Sequence, residues 1–528
     1  MGIYLNPGNE NFRRTLAGGK YVDKTEMISV INHYIDTGNN YICISRPRRF
    51  GKTIAGNMLS AYYSKGCDSK ELFAGLRIAS DPDYVSPNGR RNTQNVIKID
   101  LNSEYQNARN KENLILELEE KIKRELRREF ENAEIKDSYS LAESILEIFA
   151  STGQTFIIII DEYDVLVREQ VNKELFDKYL SFLNGLFKSD TLRPAISLAY
   201  LTGILPVVRD KIQSKLNNFE EYTILDAAEL AEFIGFTSEE VKALCKKYEM
   251  DYADCRRWYD GYYQRGYEIY NPESVIKAIQ RKVYGSYWGK TSSYEAIAER
   301  IRQNFEGTKE DVIRMLSGES IDVNVTRYMN TMDSFSTKSD LFTYLIHLGY
   351  LAYDQKEETC RIPNWEVRQE WYNAIEGNED YKETNRIIGS SKQLLEDTIN
   401  GNAEAVAKAL DISHIHVTSN RSYNNEDALQ SAIYLAYLYA LNKYTIVKEM
   451  TTGKGFADVV FIPYVENYPA MIIELKHNKT AESALKQIKE KEYFDSLSHY
   501  NGNLLFVGID YDEKNKTHTC RIEKFEKE

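Results

Sequence analysis

The first third of the chain alternates apolar runs with amphipathic stretches. Short apolar runs predict buried strands at residues 41–45, 95–101, 155–160 and 195–204. Apolar residues spaced three or four positions apart predict helices between them, at residues 52–63, 114–130 and 173–187. Because strands separated by helices of this length usually pair in parallel, we expect an α/β domain whose parallel sheet has helices on both faces.

The middle of the chain has few apolar runs and many short helical patterns. Turn signals occur at Asp260-Gly261 and at Asn271-Pro272. The helical pattern at residues 341–351 is followed by strand patterns near Tyr353 and at residues 360–362, an order typical of a winged helix. A helical connector is the simpler interpretation, and the sequence leaves both open.

A third pattern begins near residue 386. It predicts a helix at residues 426–441, strands at 444–450, 455–462 and 470–476, a helix at 480–496 and a strand at 503–509. This order describes a second α/β core. We therefore expect an α/β protein of three regions: a first domain at residues 1–225, a helical, winged-helix-like region at 226–385, and an α/β domain at 386–528.

The composition narrows the class of protein. Hydrophobic residues make up 42% of the 528 residues, which indicates a folded chain rather than a disordered one. With 67 Lys and Arg against 80 Asp and Glu, the net charge of -13 excludes a generally basic nucleic-acid-binding surface. The six cysteines form no C-x-x-C pair, no signal-peptide pattern opens the sequence, and no apolar run reaches the roughly 20 residues of a membrane helix. We expect a cytoplasmic protein without a membrane segment.

A candidate phosphate-binding loop lies between the first predicted strand and the first predicted helix. Its sequence, R-P-R-R-F-G-K-T, begins at Arg46. In such a loop the backbone N–H groups near Gly51 hold phosphate oxygens, Lys52 reaches the outer phosphates and Thr53 ligates Mg²⁺. Arg46 stands where the general pattern has glycine, so the loop alone is equally compatible with an ordinary helix start. Arg46 and Arg49 are further candidates for phosphate contacts.

A pair of acids follows the third predicted strand. Asp161 would orient Mg²⁺ and Glu162 would polarise the attacking water, although strands also end in solvated acidic turns. A phosphate loop followed about a hundred residues later by an acidic strand end favours a nucleotide site. Thr202, near the end of the fourth strand, is placed to sense the terminal phosphate. Arg209 is a candidate for neutralising its charge, although a surface arginine is the simpler interpretation.

A second group of charged residues interrupts the apolar strands of the third region. Asp458 is a lone acid in an apolar run, and burying it is costly unless it is paired or bound to metal. Glu474 and Lys476 are two positions apart, so they point to the same face of the next strand. Asp458 and Glu474 would hold Mg²⁺ while Lys476 positions water and stabilises developing charge; the alternative is an ion pair on an edge strand. Glu426 and Gln487 are weaker candidates for the same site.

The N-terminal motifs resemble those of the AAA-ATPase-like proteins of bacteria and archaea. The similar stretches are Y-V-D-K-T from Tyr21, R-P-R-R-F-G-K-T from Arg46, I-D-E-Y-D from Ile160, T-G-I from Thr202, Y-D-G-Y from Tyr259 and Y-N-P from Tyr270. That family usually lacks the first glycine of the loop, so Arg46 is compatible with nucleotide binding. The resemblance implies a P-loop NTPase fold that binds and hydrolyses ATP with Mg²⁺.

The C-terminal residues resemble the PD-(D/E)XK nuclease superfamily, a domain that usually accompanies AAA-ATPase-like domains. The match is Asp458 followed by Glu474-Leu475-Lys476, with Ala457 in place of a proline whose position varies in the superfamily. The resemblance implies a restriction-endonuclease-like core that cuts nucleic acid with Mg²⁺, with DNA favoured as the partner.

These features predict an ATP-binding, ATP-hydrolysing protein with a metal-dependent nuclease-like domain that nucleotide state controls. Two alternatives stay open: a regulatory ATPase of signal-transduction type whose nuclease-like domain only binds nucleic acid or a partner, and an interaction protein with degenerate sites. Self-association is compatible with each. Residues 401–528 carry 15 Lys and Arg against 18 Asp and Glu, so metal ions and a narrow cleft must supply the attraction for nucleic acid.

Overall fold

The computed structural model of the chain divides into two compact units. It describes residues 2–206, 209–210, 213–214, 216, 218–288, 295–302, 305–326, 335–376, 378–417, 433–452, 455–465, 467–491, 493 and 503–525. The first unit consists of Met1–Arg300 with Asp322–Glu370, and the second of Ile301–Ile321 with Trp371–Glu528. The domain boundaries expected near residues 225 and 385 stay predictions.

The first unit contains a five-stranded sheet in which all strands run parallel. Across the sheet the strands are Asn95–Asp100, Phe156–Asp161, Ile196–Gly203, Tyr41–Ser45 and Glu220–Tyr222. The second and third of these are buried along their whole length, which explains their nearly unbroken apolar sequences. Because parallel strands end at the same edge, the register aligns Asp161 with Thr202 and Ser45 with Gly203. Ligands of open α/β sheets bind at this carboxyl edge.

Helices of the first unit bury apolar faces that complete this core. In the helix Leu114–Glu129 the buried residues include Leu118, Ile122 and Leu126, which recur every four positions as the sequence pattern predicted. The other α-helices of the unit are Glu10–Ala17, Met27–Asn32, Lys52–Tyr63, Lys70–Phe73, Pro82–Val85, Leu101–Asn107, Leu141–Thr152, Val165–Arg168, Lys173–Phe187, Ser238–Lys247, Tyr252–Tyr259, Pro272–Arg281 and Lys338–Leu348. Glu295–Ile301 and Trp365–Ile375 cross the limits of the two units.

The predicted winged-helix pattern corresponds to a helix and a hairpin. Lys338–Leu348 begins at a capping box of Thr337 with Asp340 and leads into the antiparallel strands Ala352–Asp354 and Thr359–Arg361. A small antiparallel sheet that the sequence pattern did not predict comprises Phe236–Thr237, Tyr267–Tyr270 and Tyr262–Gln264. Further short strands are Arg209–Asp210, Gln213–Ser214 and Ile321–Asp322.

The second unit contains a mixed five-stranded sheet. Its strands follow chain order: Tyr444–Thr452, Gly455–Pro463, Ala470–His477, Leu504–Asp512 and Thr517–Phe525. Only the third and fourth of these run parallel to each other; the other neighbours are antiparallel. Residues of Lys382–Ile399 and Ala403–Val417 join the core on one face, and residues of Ala481–Glu490 join the core on the other. Thr308–Leu316 is a further helix of this unit.

The α/β fold class is confirmed, with differences at particular elements. The last strand, Thr517–Phe525, was not predicted because exposed polar side chains alternate with His518 and Cys520, its most buried residues. The predicted helix at 480–496 is described as Ala481–Glu490, and residues 494–500 lie outside the described residues. Of the predicted helix at 426–441, residues up to 432 also lie outside them, and Leu438–Asn442 is a 3₁₀ helix.

Candidate functional site

The phosphate-loop candidate lies at the carboxyl edge of the parallel sheet. It connects the strand Tyr41–Ser45 to the helix Lys52–Tyr63. Gly51 precedes this helix with φ of 95°, a left-handed conformation in which side chains other than glycine are strained. The loop therefore presents a helix N-terminus, where backbone N–H groups and the helix dipole favour anions.

Lys52 is buried inside the loop that it follows. Its Nζ donates hydrogen bonds to the carbonyl oxygens of Arg46 and Pro47, both at 2.9 Å. Burial lowers the pKa of Lys52 to about 8, although the charges of Glu162 and Asp161 oppose this shift. A phosphate would therefore offer this ammonium the charge partner that two neutral carbonyls do not provide. Thr53, the next residue, is exposed at the start of the helix.

The acidic pair and Thr202 come together at the ends of adjacent strands. Asp161 and Thr202 are both buried, and the Thr202 hydroxyl donates to Asp161 Oδ1. The backbone N–H of Glu162 donates to the same oxygen at 3.1 Å. The Glu162 side chain is 29% exposed and projects from a residue with φ of 52°. The structure thus brings together three residues that the sequence pattern assigned to one site.

Glu162 is held in an ion pair that the sequence analysis missed. Arg168 Nη2 donates to Glu162 Oε2, and Arg168 Nε donates to Asp164 Oδ2 at 3.1 Å. The side chain of Arg168 is only 8% exposed. Asp164 and Arg168 are four residues apart, a spacing that alone reads as an ordinary helix ion pair.

Asp164 connects the acidic motif to the backbone that follows Thr202-Gly203. Its Oδ2 accepts the backbone N–H groups of Ile204 at 2.9 Å and Leu205 at 2.8 Å. A Cβ at Gly203 would lie 2.6 Å from Tyr163 Cε1 and 2.8 Å from Asp164 Oδ1. Glycine is therefore required here so that the two strand ends can approach each other.

A cavity of about 730 Å³ opens above these residues. Its polar wall is formed by loop residues, Glu162 and Arg168, and its other walls include Tyr21, Phe236 and Ile276. The volume falls in the range of small-molecule sites, roughly 300–1,000 Å³. Both charged and apolar side chains therefore line this cavity.

Two further motifs of the sequence support this cavity. In the stretch Y-V-D-K-T, Lys24 Nζ donates to the carbonyl of Glu232 and to the carboxylate of Glu240, at 2.5 and 2.6 Å, and burial lowers its pKa. In the stretch Y-D-G-Y, the Tyr262 ring contacts the Phe50 ring edge-on, with centroids 5.3 Å apart. The residues of these two motifs hold the cavity walls and the phosphate loop in place. They contribute contacts to the site and not reactive groups.

Two arginines of the loop, Arg46 and Arg49, lie in different surroundings. Arg46 is fully buried, and its Nη1 donates to the carbonyls of Ser45 and Tyr222, both at 2.9 Å. Burial lowers its pKa to about 9. Arg46 is not among the residues that line the cavity, and its described hydrogen bonds are to the sheet edge, so its assignment to phosphate stays a prediction. Arg49 does line the cavity, and its Nη1 donates to the carbonyl of Tyr287 at 3.2 Å. The side chain of Arg209 lies outside the described residues.

The charged residues of the C-terminal sheet also come together. The pairing of Val459 with Ile473 places Asp458 and Glu474 at neighbouring positions of adjacent strands. Lys476 Nζ donates to Glu474 Oε1 at 2.8 Å, and Asp458 Oδ2 accepts the backbone N–H of Leu475 at 2.7 Å. Glu474 is 1% exposed and Lys476 is 8% exposed. This is a buried carboxylate–lysine cluster rather than an ion pair on an exposed edge.

Gln487 and Tyr493 complete the described part of this cluster. Gln487 Nε2 donates to Glu474 Oε1 and to the Tyr493 hydroxyl, the latter at 3.0 Å. Gln487 belongs to the helix Ala481–Glu490, which covers the same face of the sheet as Glu474. Tyr493 was missed by the sequence analysis because one tyrosine among many carries no distinct signal. Glu426 lies outside the described residues.

The donor set of this cluster fits Mg²⁺. Burial and the neighbouring charge of Asp458 raise the pKa of Glu474 to about 7, although Lys476 opposes the shift. Glu474 Oε2 is buried without a hydrogen-bond partner among the described residues. Across those residues no group of three or more His, Cys, Asp or Glu side chains is arranged to hold a metal. Mg²⁺ typically uses one or two carboxylates and keeps several waters, so Asp458 and Glu474 are sufficient.

Two family models match parts of this chain. Residues 8–213 match the family model of predicted AAA-ATPases, and residues 424–520 match that of the PD-(D/E)XK nuclease superfamily. The recognition of both families from their motifs is therefore confirmed: the chain has an AAA-ATPase-like region followed by a region of the nuclease superfamily.

The individual relatives add no assigned activity. An uncharacterized protein in the vnfD 5' region of Azotobacter chroococcum mcd 1 is 22% identical over 519 residues, which is 94% of each chain. Among solved structures, the Aeropyrum pernix ORC2 protein in ADPNP–ADP complexes is 10% identical with a TM-score of 0.31, covering 66% of this chain and 93% of that one. Similarity at that score does not establish a common fold. In the part of the chain that the structure describes, no helix has the length and hydrophobicity needed to cross a membrane.

Proposed function

We propose that the chain binds and hydrolyses ATP in its first unit and cleaves nucleic acid, with DNA favoured, in its second. The observation that carries the first activity is the cavity that joins the Gly51–Lys52 helix start to Glu162. The observation that carries the second is the buried Glu474 Oε2, which has no hydrogen-bond partner among the residues that the structure describes, beside Lys476 and Asp458. In both reactions a water oxygen attacks a phosphorus atom and an oxygen leaving group departs, which requires charge stabilisation and an oriented water.

In the ATP site, each described residue has a separate role. The helix N-terminus and Lys52 bind the phosphates, and Thr53 with Asp161 would hold Mg²⁺. Thr202 fixes the Asp161 carboxylate through the hydrogen bond between them. Glu162 accepts a proton from water as the water oxygen bonds to the terminal phosphorus; the bond to the bridging oxygen breaks and ADP leaves.

In the nuclease site, Asp458 and Glu474 would hold Mg²⁺. When bound at either site, Mg²⁺ would polarise a phosphate oxygen and lower the pKa of bound water. Lys476 stabilises negative charge near Glu474 and orients the water, and Gln487 keeps Glu474 in place. This region carries more acidic than basic residues overall. The proposed attraction for nucleic acid therefore comes from groups such as Lys476 that act over short distances at the site.

Separate assays test the two activities. ATP hydrolysis is measured for the wild type and for Glu162→Gln, which keeps the shape of the side chain but cannot take a proton. We expect the variant to bind ATP and to lose at least about a hundredfold in turnover, the lower part of the range for general-base loss. Equal turnover by the two proteins would reject Glu162 as the base, and absence of ATP binding by the wild type would reject the ATPase proposal.

For the second activity, plasmid, linear and single-stranded DNA and RNA are incubated with Mg²⁺ or Mn²⁺. Wild type is compared with Lys476→Ala and with Lys486→Ala, whose lysine is exposed on the helix Ala481–Glu490. Cleavage by the wild type and the Lys486 variant but not by the Lys476 variant supports the proposal. Binding of nucleic acid without cleavage by any of the three proteins would instead support the regulatory alternative.

A further inference from the structure

Arg168 is a buried arginine in the wall of the nucleotide cavity. Its guanidinium joins two acids with different roles: Glu162, the proposed base, and Asp164, which holds the backbone after Gly203. It lines the same cavity as Lys52 and Glu162. Burial lowers the pKa of Lys52; the carboxylates of Glu162 and Asp164 oppose this shift and the guanidinium of Arg168 adds to it, so the four groups interact electrostatically.

The ion pair with Arg168 occupies the carboxylate of Glu162. Arg168 Nη2 donates to Glu162 Oε2, so while this contact lasts that oxygen is directed at the guanidinium rather than at an attacking water. Weakening the contact leaves Oε2 available to a water molecule. A group that competes for Arg168 would produce that change.

The terminal phosphate of ATP is such a group. A guanidinium forms strong, two-pronged hydrogen bonds with phosphate oxygens, and it has five N–H donors. Two of these donors serve Glu162 and Asp164 in the described contacts. Asp164 is itself anchored by two backbone N–H groups, at 2.9 and 2.8 Å, so it is the fixed end of the arrangement. Glu162, at 29% exposure, is the end open to the cavity.

We propose that Arg168 binds the terminal phosphate of ATP from within the same chain and, in doing so, releases Glu162 to act on water. This inference rests on the proposed ATPase function. Arg168 remains bonded to Asp164 and exchanges its Glu162 contact for phosphate. ADP lacks the terminal phosphate, so the ion pair with Glu162 persists in the ADP complex. The residue that distinguishes ATP from ADP is then Arg168.

Equilibrium binding of ATP and ADP separates this role from a structural one. Affinities are measured in Mg²⁺ for the wild type, Arg168→Gln and Arg168→Lys, with Arg127→Gln as the matched control. Arg127 also pairs with two carboxylates, those of Glu120 and Asp137, and does not line the cavity. We expect Arg168→Gln to lose roughly tenfold or more in ATP affinity and less than about twofold in ADP affinity, since each charged hydrogen bond contributes about a factor of ten. Arg168→Lys keeps the charge and should show a smaller loss that is also confined to ATP.

A double-mutant cycle tests the exchange of partners directly. Glu162→Gln removes the carboxylate that competes with phosphate, so it should bind ATP more tightly than the wild type. That gain should vanish in the Arg168→Gln background, because the guanidinium that both groups share is absent. Independent, multiplicative effects of the two substitutions would overturn the proposal.

The outcomes distinguish this inference from the function on which it rests. If the wild type binds neither nucleotide, the ATPase proposal fails. If the wild type binds and hydrolyses ATP while the Arg168 variants weaken ATP and ADP equally, Arg168 is only structural and the inference alone fails. Should Arg168→Gln fold poorly by thermal unfolding, Arg168→Lys and the single Glu162→Gln comparison still decide between these outcomes.

Discussion

Replacing Glu474 by glutamine should remove most of the pH dependence of the stability of the C-terminal sheet between pH 5 and pH 8. Burial and Asp458 raise the pKa of Glu474 from an ordinary 4.5 to about 7. The folded protein therefore keeps a proton on Glu474 over a pH range in which the unfolded chain has lost it. The contribution of Glu474 to the free energy of unfolding is fully present below about pH 4.5 and is lost as the pH rises through about 7. A difference of about 2.5 pKa units corresponds to about 3 kcal/mol at about 1.36 kcal/mol per unit.

Hydrogen exchange of the metal-free full chain measures this effect locally. Exchange of amides in Ala470–His477 and Leu504–Asp512 is followed in EDTA at pH 5 and pH 8 and corrected for intrinsic exchange rates. In the wild type, the free energy of opening should decrease by up to about 3 kcal/mol between the two pH values. In Glu474→Gln it should change little, because the glutamine amide does not titrate.

The control variant is Glu490→Gln, which removes an exposed carboxylate from the helix Ala481–Glu490. It should keep the pH dependence of the wild type. Adding Mg²⁺ at pH 8 should restore protection to the wild type and to the control but not to Glu474→Gln, since only the first two retain the metal-binding carboxylate. Equal pH dependence in wild type and Glu474→Gln would refute the reasoning, because some other group would then be responsible.

Three further predictions concern single residues. Lys52→Ala should lose ATP binding by at least tenfold, measured with a fluorescent ATP analogue, because the charge partner of the phosphates is absent; an unchanged affinity would contradict the assigned site. Gly203→Ala should destabilise the first unit by about 1–3 kcal/mol in denaturant unfolding, because its Cβ would lie 2.6 Å from Tyr163 Cε1; the control is Gly75→Ala, where a Cβ would meet nothing within 4 Å, and an equal loss in both variants would contradict the steric reason. Arg46→Gln should lower thermal stability and leave nucleotide affinity within about twofold once folded, because Arg46 bonds to Ser45 and Tyr222 outside the cavity; a selective loss of ATP binding would show instead that Arg46 contacts nucleotide.

The hydrophobic pattern of the sequence predicted those strands and helices that are buried either along their whole length or along one face only. The strand Phe156–Asp161 and the helix Leu114–Glu129 were predicted within one residue of their observed ends, because one is buried throughout and the other has a regular apolar face. The strand Thr517–Phe525 was missed because its exposed side carries polar and charged residues, although its pairing partner, Leu504–Asp512, immediately precedes it in the chain. Edge strands of this kind depend on tertiary pairing more than on their own pattern.

The same contrast applies to the sites. Asp161, Glu162, Glu474 and Lys476 were predicted because acids and a lysine in apolar strands are anomalies that burial makes costly. Arg168 was missed because its contacts with Glu162 and Asp164 depend on the turn that follows the strand. The spacing of residues alone does not predict such contacts. Arg46 was assigned to phosphate from its place in the loop, but its side chain turns to the carbonyls of neighbouring strands. A position in a motif fixes the backbone location of a residue and not the direction of its side chain.

The most direct test of two catalytic sites in one chain is a cleavage assay with and without ATP. Wild type, Lys52→Ala and Lys476→Ala are incubated with Mg²⁺ and the DNA and RNA substrates, and the cut products are quantified. We predict that the wild type cuts, that Lys476→Ala does not cut under either condition, and that ATP changes the cleavage rate of the wild type but not of Lys52→Ala. Equal cleavage by the wild type and Lys476→Ala, or no cleavage by either, would contradict the account.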